Sequence, residues 1–323
     1  MRGIAALIAA AVAIALAGLG AGEAGGGASY PATFVAVSSD ARAPGLAVYS
    51  SATGAEVRRL TDGDRDAQPT LSADRRWVYF IGPGASEGCG WQLWRVPVAG
   101  GRPRSLFRAV APGAQIAVSP DGRRLAYVAP PPGPMPCGAR AGATAVVVVD
   151  LKTGRRHRIE GEVTGLAWSP NDSTLAVVTP IPPTAAGRIR LISDPFRATR
   201  ATAGVALACP THLGCDEQAP SFDGRGDLFY VAAIAPRAGN YCWFGVCFGW
   251  TYAIVSVAGS DSRVLASVVR RDAEATTGTV NQPGTAMIFT VPQANGYPRV
   301  WRWSGGPPVA IPAPGAFGAE PAW

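Results

Sequence analysis

A short motif recurs through most of this 323-residue chain: an apolar strand, a turn built on Ser-Pro-Asp-Gly, and a second apolar strand. It reads most fully at Ile116–Val128, around Ser119-Pro120-Asp121-Gly122. Further copies run over Gly165–Val178, around Ser169-Pro170-Asn171-Asp172, and over Pro69–Phe80, around Ser72-Ala73-Asp74. A fourth joins Ala219–Gly224 to Asp227–Val231, and a degenerate fifth spans Val280–Thr290. The recurrence is about every 41 to 60 residues. A unit this small cannot bury its own apolar faces, so neighbouring copies must stack and share a core.

Each copy leads into a third strand: Trp91–Val98, Ala145–Leu151, Arg188–Ser193, Thr251–Val257 and Arg299–Trp303. A turn then follows, often with glycine, as in Lys152-Thr153-Gly154 and Gly100-Gly101, and a fourth strand after it. Short runs of β-branched and aromatic residues bounded by Gly, Pro and Asp are strand chemistry. Four such strands per unit make a propeller blade. The segment after residue 30 supplies only three strands, Thr33–Val37, Leu46–Ser50 and Glu56–Leu60. Ala319–Trp323 supplies a fourth, with Trp323 matching Trp168 in the first strand of another copy. Joining the two ends in one blade removes a free sheet edge. The expectation is an all-β chain: a six-bladed β-propeller of four-stranded antiparallel blades, one domain over residues 29–323, closed by the C-terminal strand.

The Ser-Pro-Asp-Gly turn with its flanking apolar strands resembles the PD40 (WD40-like) repeat of TolB-type six-bladed β-propellers. The resemblance covers about residues 31 to 323 and is most specific at 116–128. No α/β domain is read ahead of the propeller, so contacts made through such a domain do not carry over, and fold likeness leaves function open.

Ahead of the repeats, Met1-Arg2 is followed by an uncharged apolar run, Gly3–Leu19, and a small-residue tract, Gly20–Ala28. This is the pattern of a secretory signal peptide over residues 1–28; an uncleaved anchor is the competing reading. The mature chain is expected outside the cytoplasm, in the periplasm, cell envelope or extracellular space, with no membrane span after cleavage. Export makes the cysteines legible. All six (Cys89, Cys137, Cys209, Cys215, Cys242, Cys247) follow the leader, and an even number in an oxidising compartment suggests disulfides. The close spacings invite Cys209 with Cys215 and Cys242 with Cys247, leaving Cys89 with Cys137, although fifteen connectivities are open. Zinc would want tighter Cys-x-x-Cys pairs, and no metal or cofactor is expected.

Strand order places the second–third loops and the connections between blades on one face. All six cysteines are expected there, as are the long insertions 130–143, 180–187 and 235–250. Loops on a rigid scaffold are where binding concentrates. Within the last insertion Tyr241, Trp243, Phe244, Phe248 and Trp250 read as an aromatic anchor for a protein or cell-envelope glycan partner; the alternative is that these rings plug the channel mouth.

Net charge is +7, with Lys152 the only lysine among 29 basic residues. Arginines in the outermost strands, among them Arg58, Arg59, Arg102, Arg104, Arg155, Arg156 and Arg158, are expected to discourage edge-to-edge association. Arg75, Arg76, Arg123 and Arg124 follow the first turns and would form a basic rim on the opposite face. Without a stacking platform beside it, this charge does not point to nucleic acid. Asp74, Asp121, Asp172 and Asp223 are expected to cap their own turns.

The sequence lacks a Gly-x-Ser-x-Gly elbow, a His-Glu-x-x-His pair and a phosphate-binding loop. Its two histidines are His157, expected on an exposed edge, and His212, near Asp216 and Glu217. The expectation is a monomeric, non-catalytic binding or scaffold module. The alternative is a hydrolase or lyase on the loop-rich face near His212.

Overall fold

The computed structural model describes residues 31–38, 40, 42–84, 91–110, 115–129, 145–181, 186–207, 215–234, 242–243, 246–247, 250–258, 261–270, 278–281, 283–291, 299–312 and 322. The expected leader, Cys89, Cys137, Cys209 and His212 lie outside them.

Blade one contains β1 (Thr33–Ser38), β2 (Gly45–Ser50) and β3 (Glu56–Arg59). Blade two is β4 (Ala67–Leu71), β5 (Trp77–Pro83), β6 (Trp91–Pro97) and β7 (Arg104–Val110). Blade three is β8 (Ile116–Val118), β9 (Arg124–Ala129), β10 (Ala145–Asp150) and β11 (Arg156–Glu160). Blade four is β12 (Gly165–Trp168), β13 (Thr174–Ile181), β14 (Ala186–Ser193) and β15 (Val205–Ala206). Blade five is β16 (Cys215–Phe222), β17 (Leu228–Ile234), β20 (Trp250–Ala258) and β21 (Asp261–Arg270), with a small hairpin of β18 (Cys242–Trp243) and β19 (Val246–Cys247) between β17 and β20. Blade six is β22 (Gly278–Val280), β23 (Met287–Val291), β24 (Arg299–Trp303) and β25 (Val309–Ala310). Its first strand therefore starts two residues ahead of the degenerate repeat read from sequence.

Every blade is antiparallel, and blade one is completed from the far end of the chain. Val35 and Ala322 exchange both backbone hydrogen bonds, N–H to O at 2.9 and 2.8 Å. The ring of six four-stranded blades is thereby closed as the sequence predicts.

The central strands are apolar on both faces because each blade is sandwiched between two others. In β10, Ala145 to Val149 are all buried, as are Leu125 to Ala129 in β9. Val and Ile branch at Cβ and pack well on a pleated surface. Core clusters accordingly cross blade boundaries: Leu46 of blade one packs with Val78 and Phe80 of blade two, and Val178 and Ile189 of blade four with Tyr230 of blade five. Burying each such large side chain is worth roughly 1.5–3 kcal/mol.

The repeat turns share one geometry. In five blades the residue opening the turn accepts a backbone N–H from the residue three later: Ser72 from Arg75, Ser119 from Gly122, Ser169 from Asp172, Asp223 from Gly226 and Asn281 from Gly284. That third position has φ between 55° and 99° each time, which favours glycine and strains Arg75 and Asp172. A side chain caps each turn. Ser72 and Ser119 hydroxyls donate to Asp74 and Asp121 at 2.6 Å, and Asp223 itself accepts the N–H groups of Arg225, Gly226 and Asp227. One reading needs correction. In blade four the cap is Asn171, which accepts the Ser169 hydroxyl at 2.7 Å; Asp172 occupies the strained position instead.

Several arginines clasp adjacent blades. Arg58 donates to the Val98 carbonyl, Arg75 to Thr33, Arg124 to Asp172 and Arg302 to Ser51. A guanidinium presents several fixed donors on a long apolar stem, which suits it to reaching a carbonyl across a junction. His157, expected exposed, is half-buried with Nε2 2.6 Å from the Ala198 carbonyl of the next blade.

Candidate binding face and central channel

The innermost strands of the six blades surround a channel of about 220 Å³, lined among others by Gln68, Thr70, Gln115, Ser221, Thr279 and Ala322. Side chains here stitch strand to strand. Gln115 Oε1 accepts the Leu166 N–H at 3.2 Å, Ser221 Oγ accepts the Val280 N–H at 3.1 Å, and Trp168 Nε1–H donates to the Ala117 carbonyl at 3.2 Å. Inner strands have no sheet partner on the channel side, so these side chains satisfy backbone N–H and C=O groups that would otherwise be orphaned.

The cysteines of blade five lie at the end of the blade away from its first turn. Cys215 is the first residue of the inner strand β16 and pairs with Ile234 at the end of β17. It therefore belongs to the blade itself and not, as the spacing suggested, to the connection between blades. The β18–β19 hairpin follows Ile234 in the chain, and in it Cys242 lies directly opposite Cys247, with Trp243 opposite Val246. Trp250 begins β20. Tyr241, Phe244 and Phe248 lie outside the described residues.

Next to Cys215 on β16 stand two carboxylates whose role the sequence did not disclose. Asp216 accepts the Gly187 N–H at 2.5 Å, and Glu217 accepts the Ile189 N–H at 2.6 Å. Both N–H groups belong to β14 of the preceding blade, at the edge where its fourth strand runs out. The partner β15 reaches only Arg190 and Leu191, and Leu207 N–H still meets the Ile189 carbonyl. Beyond that point the two carboxylates take the place of a missing strand. The approach is close enough to require glycine: a Cβ on Gly187 would lie 2.5 Å from the Glu217 carbonyl oxygen.

Glu217 is fully buried. Burial pushes its carboxyl up to about 7, against the opposing pull of the Ile189 N–H and the Arg188 charge. Burial also raises Asp216, opposed by Gly187 and by Gln218, whose amide donates to it. The nearby Tyr230 hydroxyl has no hydrogen-bond partner among the described residues, and burial and the Glu217 charge both push its ionisation up.

The basic rim splits by use. Arg75 and Arg124 are the clasps described above, and Arg124 also lies 5.5 Å from the Phe196 ring centroid. Arg76 and Arg123 are exposed, Arg123 at 3.8 Å from Asp121. Among the described residues no group of three or more His, Cys, Asp or Glu side chains is placed to hold a metal. No helix among them is long and apolar enough to cross a membrane.

No family model matches the sequence, and no curated protein matches it. Solved structures do. TolB from Acinetobacter baumannii superposes with a TM-score of 0.64 at 13% identity, over 98% of this chain and 71% of that one. The chain has the TolB-like six-bladed propeller fold. A chain of the nidogen/laminin complex gives 0.56 at 12% identity, over 90% of this chain and 96% of that one. Hydrazine synthase of Kuenenia stuttgartiensis gives 0.51 at 12%, over 80% and 70%. At these identities the likeness is one of fold.

The side chains that sequence reading missed are the channel-lining Gln68, Gln115, Ser221 and Thr279 and two buried carboxylates, Glu217 and, just ahead of β4, Asp66. Their signal was positional. Asp66 and Glu217 each precede the residue that opens their turn, Ser72 and Asp223, by the same interval.

Proposed function

We propose that this protein is an exported, non-catalytic binding or scaffold module. Its partner, a protein or a cell-envelope glycan, docks on the face carrying the blade-five hairpin. The observation that carries this reading is the hairpin itself: a two-stranded excursion between the second and third strands of blade five, with Cys242 in register with Cys247 and flanked in sequence by aromatic residues. Opposed residues on paired strands have Cβ atoms about 4.5–5.5 Å apart, and a disulfide there would stiffen the aromatic segment outside the cytoplasm. Rigid aromatic surface gives contact area at low entropic cost. The propeller chain in the nidogen/laminin complex offers a precedent for partner binding on this fold.

The non-catalytic reading is supported by the carboxylates nearest His212 in sequence. Asp216 and Glu217 are engaged with backbone N–H groups of the neighbouring blade, which is structural work. The mature protein, crosslinked in an envelope extract from its own source, is expected to capture a defined partner that the Trp243→Ala, Trp250→Ala double variant loses at least tenfold. Equal capture by both proteins overturns the aromatic-face reading. Turnover of an envelope substrate that disappears in His212→Ala overturns the non-catalytic one.

A further inference from the structure

On the opposite face, between blades four and five, lies a cleft of about 520 Å³. Leu191, Phe222, Leu228 and Val257 form its apolar floor, and Asn171 and Arg225 stand at its rim. The first turns of the two blades bound it on either side, through Ser169–Asn171 and Gly224–Gly226. Phe222 also lines the central channel and so separates the two spaces.

The preceding junction shows why this one is open. Between blades three and four, Arg124 begins the second strand and donates across the gap to the Asp172 carbonyl at 2.5 Å. Phe196, beyond the third strand of blade four, reaches back so that Arg124 and Arg155 lie 5.5 and 5.4 Å from its ring centroid. The repeat counterpart of Arg124 in blade four is Thr174, too short to cross, and the counterpart of Asp172 in blade five is Gly226. In sequence, only Gly259 and Ser260 separate β20 from β21, so no aromatic residue corresponds to Phe196. Each filler of one junction is replaced by a small residue at the next.

The cleft has the size of a small-molecule pocket, about 300–1,000 Å³. Its rim offers hydrogen-bond donors without surplus positive charge. Arg225 is held by Asp223 at 3.2 Å and Asp227 at 3.8 Å, two carboxylates that more than offset its positive charge. The Asn171 carboxamide oxygen already accepts from Ser169 and Ser173, which turns the remaining function of that amide into donation. An anion gains nothing from such a rim, whereas a flat apolar body gains the whole floor.

We infer that this cleft is a binding site for an uncharged aromatic small molecule of two to three rings, independent of the hairpin face. The test is fluorescence titration of the whole mature protein with N-phenyl-1-naphthylamine, beside its sulfonated relative 1-anilinonaphthalene-8-sulfonate. Saturable one-to-one binding of the neutral dye is expected, at least fivefold tighter than the anionic one. Thr174→Arg, which fills the gap as Arg124 does next door, is expected to weaken it at least tenfold. Val257→Trp fills the cleft from the floor and is expected to do the same, and thermal melts of both variants establish that they are folded. Thr174→Ser is expected to leave binding unchanged. Non-saturable binding, equal affinity for the two dyes, or binding that survives in both folded filled variants shows an adventitious hydrophobic contact only and overturns the inference.

Discussion

Ahead of the first turn of its blade, and at the same distance from the residue that opens the turn, Ser169 or Asp223, blade four carries Val163 and blade five carries Glu217. The two are 1% and 0% exposed. Val163 packs in the apolar cluster shared by blades two to four; Glu217 holds a backbone N–H of its neighbour. The difference lies in the edge each one meets. The third strand of blade three, β10, is paired with β11 from Ala145 through Val149, so no N–H is left over and a valine completes the core. The third strand of blade four outruns its two-residue partner β15, and an apolar residue there would bury unsatisfied donors, at about 1–3 kcal/mol each. Blade two agrees with the rule. β3 stops at Arg59, and the Leu46 N–H is taken by Thr61 Oγ1 at 2.9 Å, with Asp66 bonded to Thr61 in turn. Among the described residues, blades two and five each bury a carboxylate where the preceding blade's fourth strand falls short.

The most severe way to break the comparison is to exchange the chemistries. Val163→Glu places a carboxyl where no donor waits, and a loss of about 4 kcal/mol is expected in urea unfolding; a loss under about 1 kcal/mol would mean that edge pairing does not decide which residue is tolerated.

A second test uses pH. Burial raises the folded-state carboxyl of Glu217 from its ordinary 4.5 to about 7, so the folded protein binds this proton more tightly than the unfolded chain. Stability attributable to Glu217 is then highest below pH 4.5, falls as pH rises towards 7, and is level above. The full difference is on the order of 3 kcal/mol for a shift of that size. Glu217→Gln keeps an acceptor for Ile189 and removes the titration. Unfolding free energies at pH 5 and pH 8 should therefore differ less in the variant than in the parent, and identical slopes would refute the assignment.

The gentlest change sharpens the junction between blades three and four. Asp172 has φ of 58°, and its Oδ1 is buried with no hydrogen-bond partner among the described residues; its carboxyl meets Asp121 across the junction, where burial and that like charge raise its ionisation, and its backbone carbonyl serves Arg124. Asp172→Gly should stabilise the fold by about 1 kcal/mol, seen as a rise in Tm; a fall would show that the side chain contributes to the turn.

The architecture was largely written in local chemistry. Ser119-Pro120-Asp121-Gly122 announces its own turn, because cap, acceptor and left-handed residue are adjacent in sequence. The same holds for the closure of blade one by the C-terminal segment, since Ala319–Trp323 repeats a pattern seen elsewhere. What escaped was anything set by one blade's relation to the next. Glu217 reads in isolation as a partner for His212, because nothing within its own repeat reveals that β15 is two residues long. Arg124 reads as rim charge for the same reason: its acceptor, the carbonyl of Asp172, lies in another repeat. Asp172 itself was mistaken for a cap because aspartate is common at both positions, and only the backbone angle separates them.

The bridge between Val35 and Ala322 bears on how the molecule comes into being. Blade one is completed only after the other five blades, since its inner strand follows them in the chain. Until then β1 offers an unpaired edge while those blades are made, and the contact that seals it joins residues far apart in sequence. Such non-local pairing slows folding and prolongs exposure to aggregation. A ring sealed in this way gains resistance to fraying at its seam, and does so by postponing its own completion until a distant strand is delivered.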